Sequence, residues 1–93
     1  MKIDILYFAD LKDITGKSRE FIELKENTVE GLTSKIFSKY NTLKNLIWDD
    51  EIKKLKGNIS IVINDKLITD KNKGKVKLID GDKVAFLLPF AGG

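Results

Sequence analysis

Hydrophobic and polar residues alternate along several stretches of the chain. In "KIDILYF" (2–8), Ile3, Ile5 and Tyr7 fall on one side while Asp4, Leu6 and Phe8 fall on the other. That period of two belongs to a pleated strand, whose successive side chains point to opposite faces. "REFIEL" (19–24) alternates again, with Phe21 and Ile22 on opposite faces, and suits the second arm of a hairpin. "NISIVIN" (58–64) is a third strand, rich in β-branched residues. "KVAFLL" (83–88) is the last. Val84 and Phe86 are expected to meet a helix, and Lys83, Ala85 and Leu87 to face solvent.

One stretch has a different period. In "TVEGLTSKIFSKY" (28–40), Val29, Leu32, Ile36, Phe37 and Tyr40 form a single stripe at helical spacing. Asn27 or Thr28 can cap it, and Gly31 suggests a close approach to the sheet. Segment 41–57 is irregular or helical: Leu43, Leu46 and Ile47 continue helical packing, and Ile52 with Leu55 form a second short turn before Gly57. Trp48 is read as half-buried packing.

Turn chemistry separates these elements. "ADLKDITGKS" (9–18) reads as a polar connection with Gly16 in a left-handed conformation. Asn64-Asp65 suits a tight turn into the short strand "KLI" (66–68), and "TDKNKG" (69–74) is loop. In Asp80-Gly81-Asp82, Gly81 takes positive φ. The order is strand, strand, helix, an irregular stretch, strand, short strand, strand. Such an order closes one core as an α+β domain, with the first and last strands parallel at its centre. The outward residues Lys83, Ala85 and Leu87 then form a docking surface.

Composition narrows the chemistry. Ninety-three residues suit a single domain, 1–93, and 42% hydrophobic with 33% charged residues suit a folded one. No secretory signal is read, no run is long enough to cross a bilayer, and a cytoplasmic location without membrane partners is expected. The chain has no cysteine and no histidine. Thiolate and imidazole catalysis and the common zinc sites are therefore closed to it, no metal site is expected, and any covalent chemistry would use the chain as a substrate. Net charge is +3. The lysines at 53, 54 and 56 and at 71, 73, 75 and 77 read as solvated loops and not as a nucleic-acid surface, because no aromatic–basic stacking pattern accompanies them.

The remaining feature is the ending, "VAFLLPFAGG" (84–93). "YFADLKDITG", "VIND" and "LIDGDKVAFLLPFAGG" together resemble the MoaD/ThiS sulfur carriers over essentially the whole chain. The likeness is greatest to the small subunit of molybdopterin synthase. The most specific part is a D-G-D turn, an apolar strand, proline and Gly-Gly at this spacing. Leu88-Pro89 stands where two prolines are usual, so carriers for thiazole synthesis or transfer-RNA thiolation stay open as alternatives, as does a ubiquitin-like modifier.

The resemblance implies a ubiquitin-like β-grasp fold, a mixed sheet of four or five strands on one main helix. It also implies a cycle in which an E1-like enzyme, using ATP and magnesium, adenylates the Gly93 carboxylate. A sulfur donor protein then converts the acyl adenylate to a thiocarboxylate. The large subunit of molybdopterin synthase accepts the tail and passes its sulfur to a pterin precursor. The carrier supplies no catalytic side chain and binds no cofactor. Residues 89–93 would form a flexible reactive tail, with Pro89, Phe90, Ala91 and Gly92 threading the partner's active site, and Lys83, Ala85 and Leu87 would dock the domain. Residues 90–93 reach at most about 13 Å when extended. Glycine, lacking Cβ, suits a narrow channel, and Pro89 has no N–H to continue sheet pairing.

Overall fold

The computed structural model of the chain describes residues 1–88. Strands β1 (Lys2–Leu6) and β2 (Arg19–Glu23) pair antiparallel, with Ile3 opposite Ile22 and Ile5 opposite Glu20. Their connection is not a plain loop. Asp10–Thr15 forms a short helix, α1, which drives Leu11 into the core and ends at Gly16 with φ 72°. The Gly16 N–H donates to the Lys12 carbonyl, as a left-handed helix end requires. Six residues with a single fully buried aliphatic carry too little periodicity to read as a helix beforehand.

Helix α2 (Val29–Lys39) starts where the cap rule places it: Thr28 Oγ1 accepts from the Gly31 N–H at 3.1 Å. Its stripe is the core, with Val29, Leu32, Ile36 and Phe37 buried and Tyr40 at the margin. Gly31 serves a different contact from the one expected. A Cβ there would lie 2.6 Å from Glu26 Cβ and 3.0 Å from its carbonyl oxygen, so the glycine admits the β2–α2 loop, not the sheet.

Segment 41–57 divides. Helix α3 (Asn41–Ile47) buries Leu43 and Ile47. Instead of a second helical turn, β3 (Trp48–Asp49) and β4 (Lys54–Leu55) form a small hairpin, with Lys53 at φ 56° in its turn and Ile52 exposed. Trp48 is half-buried, edge-on to Phe37 with ring centroids 6.0 Å apart. The helix ends at Trp48, which is extended (φ −106°, ψ 139°) and opens the hairpin.

Strands β5 (Ser60–Ile63) and β6 (Lys66–Leu67) join through Asn64-Asp65, both at positive φ (51° and 69°). That turn geometry follows the right-handed twist of the strands. Strand β7 (Lys83–Leu87) lies between β1, parallel, and β5, antiparallel, giving the sheet order β2-β1-β7-β5-β6. Ile3, Ile5, Ile61, Val84 and Phe86 share one face and pack into one core with α2 and α3. No helix among the described residues is long and apolar enough to cross a membrane.

Candidate functional site

The two short motifs that flank the last strand contact one another. In the 80–82 turn Gly81 has φ 88°. Its N–H donates to the Lys2 carbonyl at 2.8 Å, while Asp80 Oδ1 accepts from the Lys2 N–H at 2.6 Å. The Asp4 N–H donates to the Asp82 carbonyl at 2.9 Å. The Asp82 carboxylate accepts from Asn64 Nδ2 at 2.8 Å and from the Ile79 N–H at 2.9 Å. Asn64 Oδ1 in turn accepts from the Lys83 N–H at 3.0 Å. Asp80 and Asp82 thus hold the start of β7 against β1, and Asn64 holds it against β5. The strand that leads to the chain's end is clamped on both sides at its start.

Beyond the clamp, β7 presents its second face. Pairing puts Leu6 beside Ala85, Ala85 beside Val62, and Val62 beside Leu67, one apolar row across four strands. Leu87 follows beyond it, 37% exposed, and Leu67 ends the row at 59% exposed. Phe8 and Phe21 lie exposed toward the β1–β2 side. An apolar row on the face away from the helices is a surface that packing alone does not demand.

The three residues expected on this face are not equivalent. Lys83 is half-exposed, its ammonium 4.0 Å from Asp65, and Leu87 is open. Ala85, expected to face solvent, is only 6% exposed. It points outward, but Leu6 and Val62 flank its methyl on both sides, and a side chain of one carbon does not rise above such neighbours. The expected tail residues Pro89, Phe90, Ala91, Gly92 and Gly93 lie outside the described residues. Leu6, Val62 and Leu67 were not among the expected docking residues. The signal for Leu6 was its place in the outward half of "KIDILYF"; for Val62 and Leu67 it appears only once strand register is known.

Electrostatics support the scaffold on both faces. On the outer face Arg19 clamps the buried Asp4 carboxylate through Nε and an Nη atom, at 2.8 and 2.7 Å. Such bidentate pairs are among the stronger hydrogen bonds, and this one raises the Arg19 pKa through the hydrogen bond and then the charge of Asp4. On the inner face the buried Glu20 accepts from the hydroxyls of Tyr7 (2.8 Å) and Tyr40 (3.0 Å), and from the ammoniums of Lys17 (3.2 Å) and Lys39. Burial by itself raises the Glu20 pKa. The hydrogen bonds from Lys39, Tyr7, Tyr40 and Lys17 together outweigh it and lower the pKa to about 2. Burial and the same carboxylate push the Tyr7 phenol well above its ordinary value. These groups join β1, β2 and the end of α2. They brace the sheet and face no cleft.

The model of the ThiS family matches residues 5–93, nearly the whole chain. The chain belongs to the ThiS family. Its members are ubiquitin-like sulfur carriers, and the five-stranded mixed sheet is their β-grasp. Solved structures agree with the ThiS assignment. Small archaeal modifier protein 1 from Methanosarcina acetivorans is 28% identical, with TM-score 0.80 over 99% of this chain and 96% of that one. A putative molybdopterin converting factor subunit 1 from Pyrococcus furiosus is 26% identical, with TM-score 0.75 over 97% and 99%. The complex of subunits 1 and 2 of the molybdopterin-converting factor from Helicobacter pylori contains a chain 29% identical, with TM-score 0.60 over the full length of both. A search of curated proteins finds no match. The likeness between this ThiS-family chain and the Helicobacter protein includes a relative that assembles with a second subunit.

Proposed function

We propose that the chain carries sulfur on its main-chain carboxylate at Gly93 for molybdopterin biosynthesis. The observation that carries this reading is the apolar row Leu6–Ala85–Val62–Leu67, with Leu87 beside it, on the strand that leads directly into Pro89–Gly93. The family match, which runs through residue 93, supports it further. A docked domain would project the tail into its partner while the outer sheet face holds it there.

A carboxylate oxygen is a poor leaving group, and activation answers that. In an E1-like enzyme the Gly93 carboxylate oxygen attacks the α-phosphorus of ATP, with magnesium on the phosphates, and pyrophosphate leaves. Sulfide released at a donor protein then attacks the acyl carbon, AMP leaves, and a thiocarboxylate remains. The large subunit of molybdopterin synthase takes that sulfur into a pterin precursor. Lacking both cysteine and histidine, the chain has no side chain that would compete for the sulfur.

A second reading has its own support in the likeness to a small archaeal modifier protein: the activated Gly93 would be captured by a lysine amine of a target. One experiment separates the two. The intact chain is incubated with an E1-like enzyme, ATP and a sulfur donor, and its mass is measured. Exchange of one oxygen for one sulfur, lost on deleting Gly93, is expected of the carrier. Covalent conjugates without any thiocarboxylate would replace this reading with the modifier.

A further inference from the structure

Two lysine clusters that read from sequence as separate solvated loops meet across one cleft. Lys53, Lys54 and Lys56 come from the β3–β4 hairpin and the residues after it, and Lys71 and Lys73 from the loop beyond β6. All five line a cavity of about 460 Å³, within the range of small-molecule sites. Among the described residues two carboxylates, Glu30 and Asp70, line it with them. Among the described residues Lys54, Lys56, Lys71 and Lys73 make no ion pair, and Lys53 reaches Asp50 only at 3.9 Å.

Two of these ammoniums are nevertheless fixed in place. Lys56 Nζ donates to the Asn45 carbonyl at 2.8 Å, and Lys73 Nζ to the Ile59 carbonyl at 3.0 Å. Neutral acceptors hold the groups without cancelling their charge. Five lysines against two carboxylates leave the cleft with a net positive potential. Trp48, Leu55 and Ile68 supply an apolar wall in the same cleft. The Trp48 ring rests on Phe37 and is held in orientation by that contact.

We propose that this cleft binds a small anion bearing a flat apolar ring, an aryl or heterocyclic phosphate. The ring lies against Trp48, Leu55 and Ile68, and the phosphate among the lysines. A single strand of nucleic acid fits less well. It needs successive aromatic platforms along a groove, and among the described residues Trp48 is the one aromatic lining the cavity. The cleft overlaps the outer row only at Leu67, so its occupancy is separable from docking.

Phenyl phosphate is the probe, with inorganic phosphate and phenol as its two halves and a single-stranded oligonucleotide as the competing ligand. Each is titrated into the intact, nitrogen-15-labelled chain, and Trp48, the sole tryptophan, provides an indole signal inside the site. The expected result is saturable shifts confined to Trp48 and to amides of 53–57 and 67–74. Phenyl phosphate should bind at least about ten-fold more tightly than either half, since the two contacts reinforce each other when linked. Lys54→Glu with Lys71→Glu should weaken it by about ten-fold or more, through reversal of two charges near the phosphate, without changing sulfur loading. The milder pair Lys54→Gln and Lys71→Gln gives the same test if charge reversal perturbs folding. Phenyl phosphate binding no better than inorganic phosphate, shifts elsewhere, or indifference to both variant pairs would each overturn the proposal. So would oligonucleotide binding without phenyl phosphate binding, which would reassign the lysines to nucleic acid.

Discussion

Strand β7 has two faces with opposite duties. Val84 and Phe86 point inward and are sealed between the sheet and the helices, while Lys83, Ala85 and Leu87 point outward over a shallow apolar row. Both faces contain apolar residues, but only the inner one has a second layer upon it. The inner side chains therefore contribute stability through burial, whereas among the outer ones Leu87 keeps apolar area exposed. Each face also has its own carboxylate brace, Glu20 within and Asp4 without. On the proposed reading, one side of the sheet makes the domain and the other is left to be recognised.

The largest effect should come from the inner face. Phe86→Ala removes a ring that is fully buried and should cost about 3–5 kcal/mol in urea unfolding, by lost transfer free energy and the cavity left behind. A cost below about 1 kcal/mol would place the residue outside the core, since core truncations seldom cost so little. Glu20→Ala should come next, at about 1–3 kcal/mol, because it leaves the buried Tyr7 hydroxyl without its acceptor and removes the shared partner of Tyr40 and of two half-exposed ammoniums.

Acid sharpens the same point. The Glu20 pKa lies at about 2 in the folded chain against an ordinary 4.5, so the folded state binds this proton less readily than the unfolded one. Its contribution is present above the unfolded value and is lost as pH falls through the folded one. Urea midpoints of the parent chain and of Glu20→Gln should therefore differ at neutral pH and converge as pH falls from about 4.5 toward 2. A gap that stays constant with pH would assign the effect to packing.

The outer face should respond differently. Leu87→Glu changes an exposed position and should move stability by no more than about 1 kcal/mol, in keeping with other surface substitutions. Pull-down of the activating enzyme or large subunit should nonetheless fall sharply. Unfolding instead would assign Leu87 to the core. Phe21→Ala should have the smallest effect on folding: the ring is exposed and flanked by Lys2 at 5.5 Å and Arg19 at 5.1 Å. Such cation–π contacts at exposed sites are worth about 0.5–1 kcal/mol, and thermal unfolding of the variant measures the loss.

The alternation in residues 2–8 already separated the two faces of β1, and the stripe Val29–Tyr40 identified the core side of α2; residues 58–64 read as a strand whose buried face was left open. Thr28, Asn64-Asp65 and Gly81 were legible as cap and turns, because a hydroxyl next to a helix start or a glycine at positive φ acts through its nearest neighbours in sequence. The parallel pairing of first and last strands followed from the order of elements. The motifs "VIND" and "DGDK" pointed to a carrier, yet nothing local indicated that Asn64 and Asp82 bond to one another.

What the chain by itself determined is whatever depends on contacts within a few residues: strand faces, caps, tight turns and the amphipathic helix. Tertiary structure alone decided that Ala85 is flanked by Leu6 and Val62, that Leu11 enters the core from a short helix, and that segment 48–55 forms a hairpin. It also decided that two lysine loops share a cleft. Each of these depends on side chains brought from distant parts of the sequence, and both exposure and electrostatic potential are set by all the neighbours of a group, whatever their place in the chain.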